Sequence, residues 1–161
     1  MKITPHINNP KTLFAEGLKF GLITAQWNGD ITANLHKGAY DTLLWLGASE
    51  QNIHSWEVPG SFELIYAANK LCRHRNLDAM IVIGSIIKGD TRHFEYLCKA
   101  VSQGIKDINI KNDTPVIFCV LTDEYKQQSI DRSGGKAGNK GIECAESAIK
   151  MALFRKFLQS S

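Results

Sequence analysis

The sequence predicts an α/β fold, a three-layer sandwich with a central four-stranded parallel sheet between helices. The first observation is the apolar run from Met80 to Ile87, which is interrupted only by Gly84 and Ser85. A run without polar alternation is typical of a strand buried on both faces. The second observation is that four short apolar strands alternate with segments of helical periodicity. This alternation favours parallel strands joined by crossover helices.

Each element follows from local patterning. We predict strands over residues 19–25, 53–58, 80–87 and 116–121, and helices over residues 31–46, 62–72, 94–105, 123–131 and 142–152. Gly47 ends the first helix, and Ser61 is a candidate N-cap of the second. Residues 1–17 contain two prolines and no periodicity, which predicts an extended arm. The whole chain, residues 1–161, is then a single domain with this arm at its start.

Composition excludes several function classes. A chain of 161 residues with 43% hydrophobic and 22% charged residues is of ordinary globular type and of one-domain length. The net charge of +3 comes without a dense block of Lys or Arg, so we expect no binding to nucleic acid or membranes. The segment MKITPHINNP lacks the apolar core of a secretory signal. The four cysteines are isolated from one another, which indicates buried free thiols in a reducing compartment and predicts a cytoplasmic location.

Polar and aromatic residues gather where the predicted strands end. The residues at or just after the four strand ends are Trp27 and the segments 61–63, 85–93 and 118–122. Ligands bind at the carboxyl ends of the strands in open α/β sheets. The polar turn after the third strand also opens a helix, whose free N–H groups attract an anion. We therefore predict a binding site at this edge.

Each of these side chains also has an alternative, purely structural interpretation. Trp27 could be a core residue, although Gln26 and Asn28 place it in a polar turn. Glu63 could be a charge favoured by the dipole of the first helical turn. His93 could be a solvated helix residue, and Arg132 a cation at a helix end.

The glycine-rich segment from Ser133 to Gly141 is not a nucleotide-binding loop. It fails the pattern G-x-x-x-x-G-K-[ST] and follows a helix rather than a strand. It is expected to be a flexible basic loop, with Arg132, Lys136 and Lys140, that closes over an anion.

Five segments in order resemble the lumazine synthase family of riboflavin biosynthesis. They are WNGDIT (27–32), VPGSFEL (58–64), IGSIIKGDTRHFEY (83–96), PVIFCVLT (115–122) and DRSGGKAGNKG (131–141). The resemblance extends from about Phe20 to about Leu153 and implies a flavodoxin-like strand order. Two positions depart from the family pattern: Trp27 replaces the usual phenylalanine, and Lys88 replaces the usual arginine of a structural ion pair.

The resemblance implies a condensation without a metal or other cofactor. The substrates would be 5-amino-6-(D-ribitylamino)uracil and 3,4-dihydroxy-2-butanone 4-phosphate, and the products 6,7-dimethyl-8-ribityllumazine, phosphate and water. His93 would be the general acid and base. The match implies further roles. Trp27 stacks on the pyrimidinedione; Ser61, Phe62 and Glu63 hold the ribityl chain; and Ser85, Ile86 and Ile87 contact the pyrimidine edge. Asp90, Thr91 and Arg132 bind the phosphate, Phe118 and Lys140 lie near the site, and Glu143 is a candidate partner of His93.

The resemblance also implies a homo-oligomer built from pentamers, with Phe118 and Arg132 reaching the site of a neighbouring subunit. No insertion precedes the last helix, which favours a 60-subunit shell and allows association with riboflavin synthase. Two other functions stay open: an archaeal-type riboflavin synthase of the same fold, and a non-catalytic assembly that binds a flavin or pterin. The segments VPGSFE and KAGNKG favour the condensing enzyme over riboflavin synthase, and the joint presence of His93, Arg132 and Glu63 speaks against the non-catalytic assembly.

Overall fold

The structure, a computed structural model, describes residues 14–160. Its central sheet has four parallel strands in the order β2-β1-β3-β4. The strands are β1 (Phe20–Ala25), β2 (Ile53–Val58), β3 (Ala79–Ile87) and β4 (Val116–Asp123). The predicted strands and their flavodoxin-like order are therefore confirmed.

Helices cover both faces of the sheet. They are α1 (Gly29–Trp45), α2 (Glu63–His74), α3 (His93–Lys111), α4 (Lys126–Arg132) and α5 (Lys140–Gln159). One hydrophobic core joins α1 and α5 to alternate strand residues such as Ile81 and Ile83. A second core joins α2 and α3 to the intervening residues, among them Met80 and Val82. Because successive side chains of a strand point to opposite faces, a strand buried on both faces is apolar throughout.

The register of the parallel pairs makes β1 and β2 end level, whereas β3 and β4 extend past them and end level with each other. Ala25 pairs with Val58, and Thr24 pairs with Ile83. β4 continues beside β3 as far as the pair formed by Ile87 and Asp123. The prediction of a helix starting at Asp123 was therefore wrong at its first residues, because the ladder with β3 keeps them extended.

The glycine-rich segment is a hairpin rather than a flexible loop, so that prediction was wrong. Its strands are β5 (Ser133–Gly135) and β6 (Gly138–Asn139), which pair antiparallel. The Asn139 side chain bonds at both ends: its Nδ2 donates to the Asn34 carbonyl at 3.0 Å, and its Oδ1 accepts from the Gly141 N–H at 2.8 Å. This side chain caps α5 and ties the hairpin to α1.

Two further expectations concern the chain ends. In the last helix, predicted over residues 142–152 and observed over Lys140–Gln159, Ile142 is 42% exposed, while Ala145, Ile149 and Ala152 are buried. Of the arm predicted over residues 1–17, residues 1–13 lie outside the described part of the chain. Within residues 14–160 no helix is both long and apolar enough to cross a bilayer.

Candidate active site

A cavity of about 220 Å³ lies where β1 and β3 end and α3 begins. The predicted site residues that line it are Trp27, Ser61, Ser85, Ile86, Ile87, Thr91 and His93. Two larger clefts of about 560 Å³ lie elsewhere, one beside the edge strand β2 and one between α2 and α3. The smaller cavity is the candidate because seven of the predicted site residues line it, and they bring the ring of Trp27 and the imidazole of His93 to the start of α3.

The indole of Trp27 is 65% exposed and lies over Gly60. A Cβ atom on Gly60 would lie 2.6 Å from Cε3 of the ring and 3.0 Å from Glu63 Oε2. Backbone bonds fix the turn, because Trp27 N–H donates to the Pro59 carbonyl at 3.1 Å. The exposed ring excludes a core role for Trp27 within this chain. It leaves one open aromatic face on a rigid support, which suits stacking on a flat heterocycle.

Asn28 is a site residue that the sequence reasoning named only as a polar neighbour of Trp27. Its backbone is left-handed, with φ of 57°, a conformation that asparagine tolerates better than most residues. Its Nδ2 donates to the Ser85 carbonyl at 2.8 Å. The side chain therefore ties the turn that carries Trp27 to the end of β3. The signal in the sequence was the Asn-Gly pair after an aromatic residue.

Ser61 does not cap α2, contrary to prediction. Phe62 occupies the N-cap position, and α2 begins at Glu63. The Ser61 hydroxyl instead faces β3, where a Cβ atom on Gly84 would lie 2.5 Å from it. Glu63 closes the preceding turn, because its Oε2 accepts from the Gly60 N–H at 3.0 Å. Burial against β3 has therefore overridden the local capping preference of Ser61.

The other two residues of this segment lie beside the cavity. Phe62 is 54% exposed, and both Phe62 and Glu63 line the cleft between α2 and α3. The structure therefore brings Glu63 next to Trp27 through Gly60 and leaves Phe62 pointing to the neighbouring cleft.

The start of α3 presents the residues expected to bind phosphate. α3 begins at His93, one residue before its predicted start, so this histidine lies at the first position of the helix. Asp90 and Thr91 form the bend before it and are exposed. Thr91 Oγ1 accepts from the His93 N–H at 3.3 Å, which satisfies one of the free donors of the helix. The remaining N–H groups of the bend and the first turn are available to an anion.

Lys88 forms the ion pair expected of its position. Its Nζ lies 3.1 Å from Glu124 Oε1, and its backbone N–H donates to the Asp123 carbonyl at 3.0 Å. Glu124 raises the pKa of Lys88 through this hydrogen bond. A single ammonium contact replaces the fork that an arginine offers.

Besides Phe62, Glu63 and Asp90, which lie beside the cavity without lining it, three predicted residues lie on other elements. Phe118 lies in the amino-terminal half of β4, where it pairs with Val82, and it packs against the core of α2 and α3. Arg132 is the last residue of α4, and Lys140 is the first residue of α5. The expectation that Phe118 lies at the carboxyl end of its strand was therefore wrong.

Lys140 and Glu143 form a pair of their own. Lys140 Nζ lies 2.5 Å from Glu143 Oε2, and this hydrogen bond raises the pKa of Lys140. Within the chain, Glu143 therefore contacts Lys140 rather than His93. The ammonium stays charged at neutral pH and is partly exposed.

The sequence model of 6,7-dimethyl-8-ribityllumazine synthase matches residues 17–156. The chain belongs to the 6,7-dimethyl-8-ribityllumazine synthase family. A protein of that name from Flavobacterium johnsoniae is 54% identical over 142 residues, which are 88% of this chain and 75% of the relative. Those from Christiangramia forsetii and Bacteroides fragilis are 50% and 49% identical, over 88% and 85% of this chain and 85% and 96% of their own lengths. The family resemblance drawn from the five segments is thereby confirmed.

Proposed function

We propose that this chain condenses 5-amino-6-(D-ribitylamino)uracil with 3,4-dihydroxy-2-butanone 4-phosphate, which yields 6,7-dimethyl-8-ribityllumazine and releases phosphate and water. Family membership supports this reaction and the transferase class. The observation that carries the proposal is the juxtaposition, in one cavity, of the exposed Trp27 ring, His93 and the start of α3. The indole can stack on a flat substrate, the imidazole can carry protons, and the start of α3 can bind an anion.

The pyrimidine substrate occupies the Trp27 side of the cavity. The indole stacks on the pyrimidinedione, and the backbone groups of Ser85, Ile86 and Ile87 contact its polar edge. The ribityl chain extends along the segment of Ser61, Phe62 and Glu63, which is an assignment from the family resemblance. Glu63 supports it, because a carboxylate beside Trp27 can accept hydrogen bonds from hydroxyl groups.

The phosphate of the second substrate lies at the start of α3. Asp90 contributes its backbone N–H, and Thr91 contributes its N–H and hydroxyl, since the positive end of the helix dipole favours an anion. In this proposed arrangement the ketone carbon lies between the phosphate and the amine of the pyrimidine. The reaction forms a C–N bond to the ketone, loses water to give an imine, eliminates phosphate and closes the ring with loss of a second water.

His93 moves protons in these steps. An imidazole can both donate and accept a proton, which is what these successive steps require. It gives a proton to the departing hydroxyl and takes protons from carbon and nitrogen. Much of the acceleration comes from holding the two reactants together, because a fixed orientation replaces a bimolecular encounter.

The cavity is completed by a neighbouring subunit, which contributes Phe118, Arg132 and Lys140. The support is that these three side chains do not line the cavity of their own chain, although the family resemblance assigns them to the site. A guanidinium adds charge-assisted bonds to the phosphate. We extend the proposal to the protein's organisation: a single domain, located in the cytoplasm, that assembles from pentamers into a 60-subunit shell. This shell can associate with riboflavin synthase. Light scattering and electron microscopy distinguish this shell from a free pentamer or decamer.

The test is a set of three incubations with the purified protein. The two substrates together should give the fluorescent lumazine, whereas lumazine alone should give no riboflavin. Tight flavin binding without product would favour the non-catalytic assembly. Conversion of lumazine alone into riboflavin would favour riboflavin synthase. Either result would overturn the proposed reaction.

A further inference from the structure

The short helix α4 is held to the sheet by a polar side chain. α4 has seven residues, Lys126–Arg132, and its one buried residue is Ser129, which is 0% exposed. Seven residues are too few for a stable isolated helix. The orientation of α4 therefore depends on what the Ser129 side chain contacts.

Ser129 lies in the middle of a buried chain of hydrogen bonds. Its Oγ donates to Asp123 Oδ2 at 2.8 Å and accepts from Ser85 Oγ at 3.4 Å. The first distance is that of a normal O–H···O bond and the second is long, so the bond to Asp123 is the stronger. Asp123 is 8% exposed and Ser85 is 4% exposed. A buried carboxylate must keep its hydrogen-bond donors, which makes the Asp123–Ser129 contact costly to lose.

The contact fixes the half of α4 that carries Arg132. Ser129 and Arg132 are three positions apart, so they are neighbours on the helix surface. The other end of α4 is held separately, by the ion pair of Lys126 with Asp30 at 2.8 Å and by Gln128 Oε1, which accepts from the Tyr125 N–H at 3.1 Å. The last turn is also tied to the hairpin, where the Ala137 N–H donates to the Asp131 carbonyl at 2.9 Å. Loss of the Ser129 hydroxyl would therefore shift the direction of Arg132 without releasing the turn.

Arg132 is exposed and forms no salt bridge with any residue in the described range 14–160. Its charge is therefore available to a group outside this chain. An exposed arginine has many rotamers, and ordering it on binding costs conformational entropy. A fixed helix backbone beneath it lowers that cost.

We propose that Ser129 and Asp123 are positioning residues for Arg132, which they aim at the phosphate of the second substrate in the adjoining subunit. The inference rests on the proposed function, because only that function assigns a phosphate to Arg132. It adds two residues, neither of which lines the cavity, to the group on which phosphate binding depends.

The test uses the full-length, assembled protein and steady-state kinetics. Ser129→Ala should raise KM for the butanone phosphate about fivefold, the typical effect of losing one hydrogen bond. KM for the pyrimidine substrate should change less than twofold, because Ser85 contacts that substrate through its backbone and its hydroxyl loses only the long 3.4 Å bond to Ser129. Ser147→Ala is the matched control: its hydroxyl bonds to the Glu143 carbonyl at 2.8 Å on the exposed side of α5, and neither KM should change.

A merely structural role would raise both KM values together, and that result would overturn the proposal. Ser129→Ala combined with Asp123→Asn is measured alongside, because it removes the hydroxyl without leaving a buried carboxylate unpaired. If the single variant does not fold, the double variant should give the same selective fivefold increase.

A double-mutant cycle with Arg132→Lys separates the two roles further. If Ser129 acts through the guanidinium, Ser129→Ala should add less than a twofold change in the Arg132→Lys background, because contacting residues are not additive. The same fivefold factor in both backgrounds would contradict positioning. Absence of product from the unaltered protein would instead reject the proposed function, so the two failures are distinguishable.

Discussion

Gly60 supports the Trp27 ring, and its replacement tests whether that ring binds the pyrimidine. In Gly60→Ala the new Cβ atom would lie 2.6 Å from Trp27 Cε3. Non-bonded carbon atoms prefer about 3.5–4.0 Å, so the ring must move by about 1 Å. Because the indole is 65% exposed, it can move without disturbing the core. The free energy of unfolding should therefore fall by less than about 1 kcal/mol.

Ligand binding should change more than stability does. Aromatic stacking contributes about 0.5–1.5 kcal/mol, and partial loss of it raises KM for the pyrimidine substrate about fivefold. KM for the butanone phosphate should stay within about twofold, because phosphate binding depends on α3. Gly29→Ala is the matched control, since no atom lies within 4 Å of its Cβ position. An unchanged pyrimidine KM in Gly60→Ala, or an equal increase in Gly29→Ala, would refute the role of Trp27.

Three further predictions follow from named contacts. His93→Ala should lower kcat about tenfold to a hundredfold, at the lower end of general acid–base effects, and a collapse comparable to losing substrate binding would contradict a catalysis dominated by proximity. Burial raises the pKa of Cys72 from 9.0 to about 11. At pH 8 iodoacetamide should therefore alkylate this thiol about a hundredfold more slowly than an unperturbed thiol. Mass spectrometry of the folded protein measures the alkylation rate, and a rate equal to that of the urea-unfolded protein would contradict the raised pKa. Gly141→Ala should destabilise the fold by about 1–3 kcal/mol, because its Cβ would lie 2.0 Å from the Leu35 carbonyl oxygen, and an unaltered urea midpoint would show that α1 and α5 are not in close contact.

The strands were predictable because burial on both faces requires a continuous run of apolar residues, which is visible in the sequence. The run from Met80 to Ile87 is apolar except at Gly84 and Ser85, and β3 covers it. The order of the strands came from the family resemblance, since periodicity along one strand carries no information about its neighbours. The end of β4 was missed for the same reason: Asp123 stays extended because it pairs with Ile87.

Local rules failed where a tertiary contact competes with them. Serine is a preferred N-cap residue, yet the Ser61 hydroxyl faces Gly84, and the side chain of Glu63 instead accepts the Gly60 N–H of the preceding turn. The glycine-rich segment has the composition of a mobile loop, yet the side chain of Asn139 holds it to α1. The contact of Ser61 with Gly84 and the bond of Asn139 to Asn34 each join residues more than twenty positions apart, so neither is visible in a window of ten residues.

The site was predicted in part. Trp27 and His93 were identified because strand ends meet at one edge of a parallel sheet, and they do line one cavity. Asn28 and Ser129 were missed because their roles depend on single hydrogen bonds to β3 and to Asp123. Side chains of this kind have no composition or spacing that distinguishes them from ordinary turn and helix residues.

The central claim is the condensation itself, and its stoichiometry tests it most directly. The purified protein is mixed with the ribitylaminouracil and the butanone phosphate, and the fluorescence of the lumazine and the release of inorganic phosphate are followed in the same sample. The proposed reaction predicts one phosphate for each lumazine, and no increase in either signal when one substrate is omitted. Phosphate release without lumazine, or no signal with both substrates present, would contradict it.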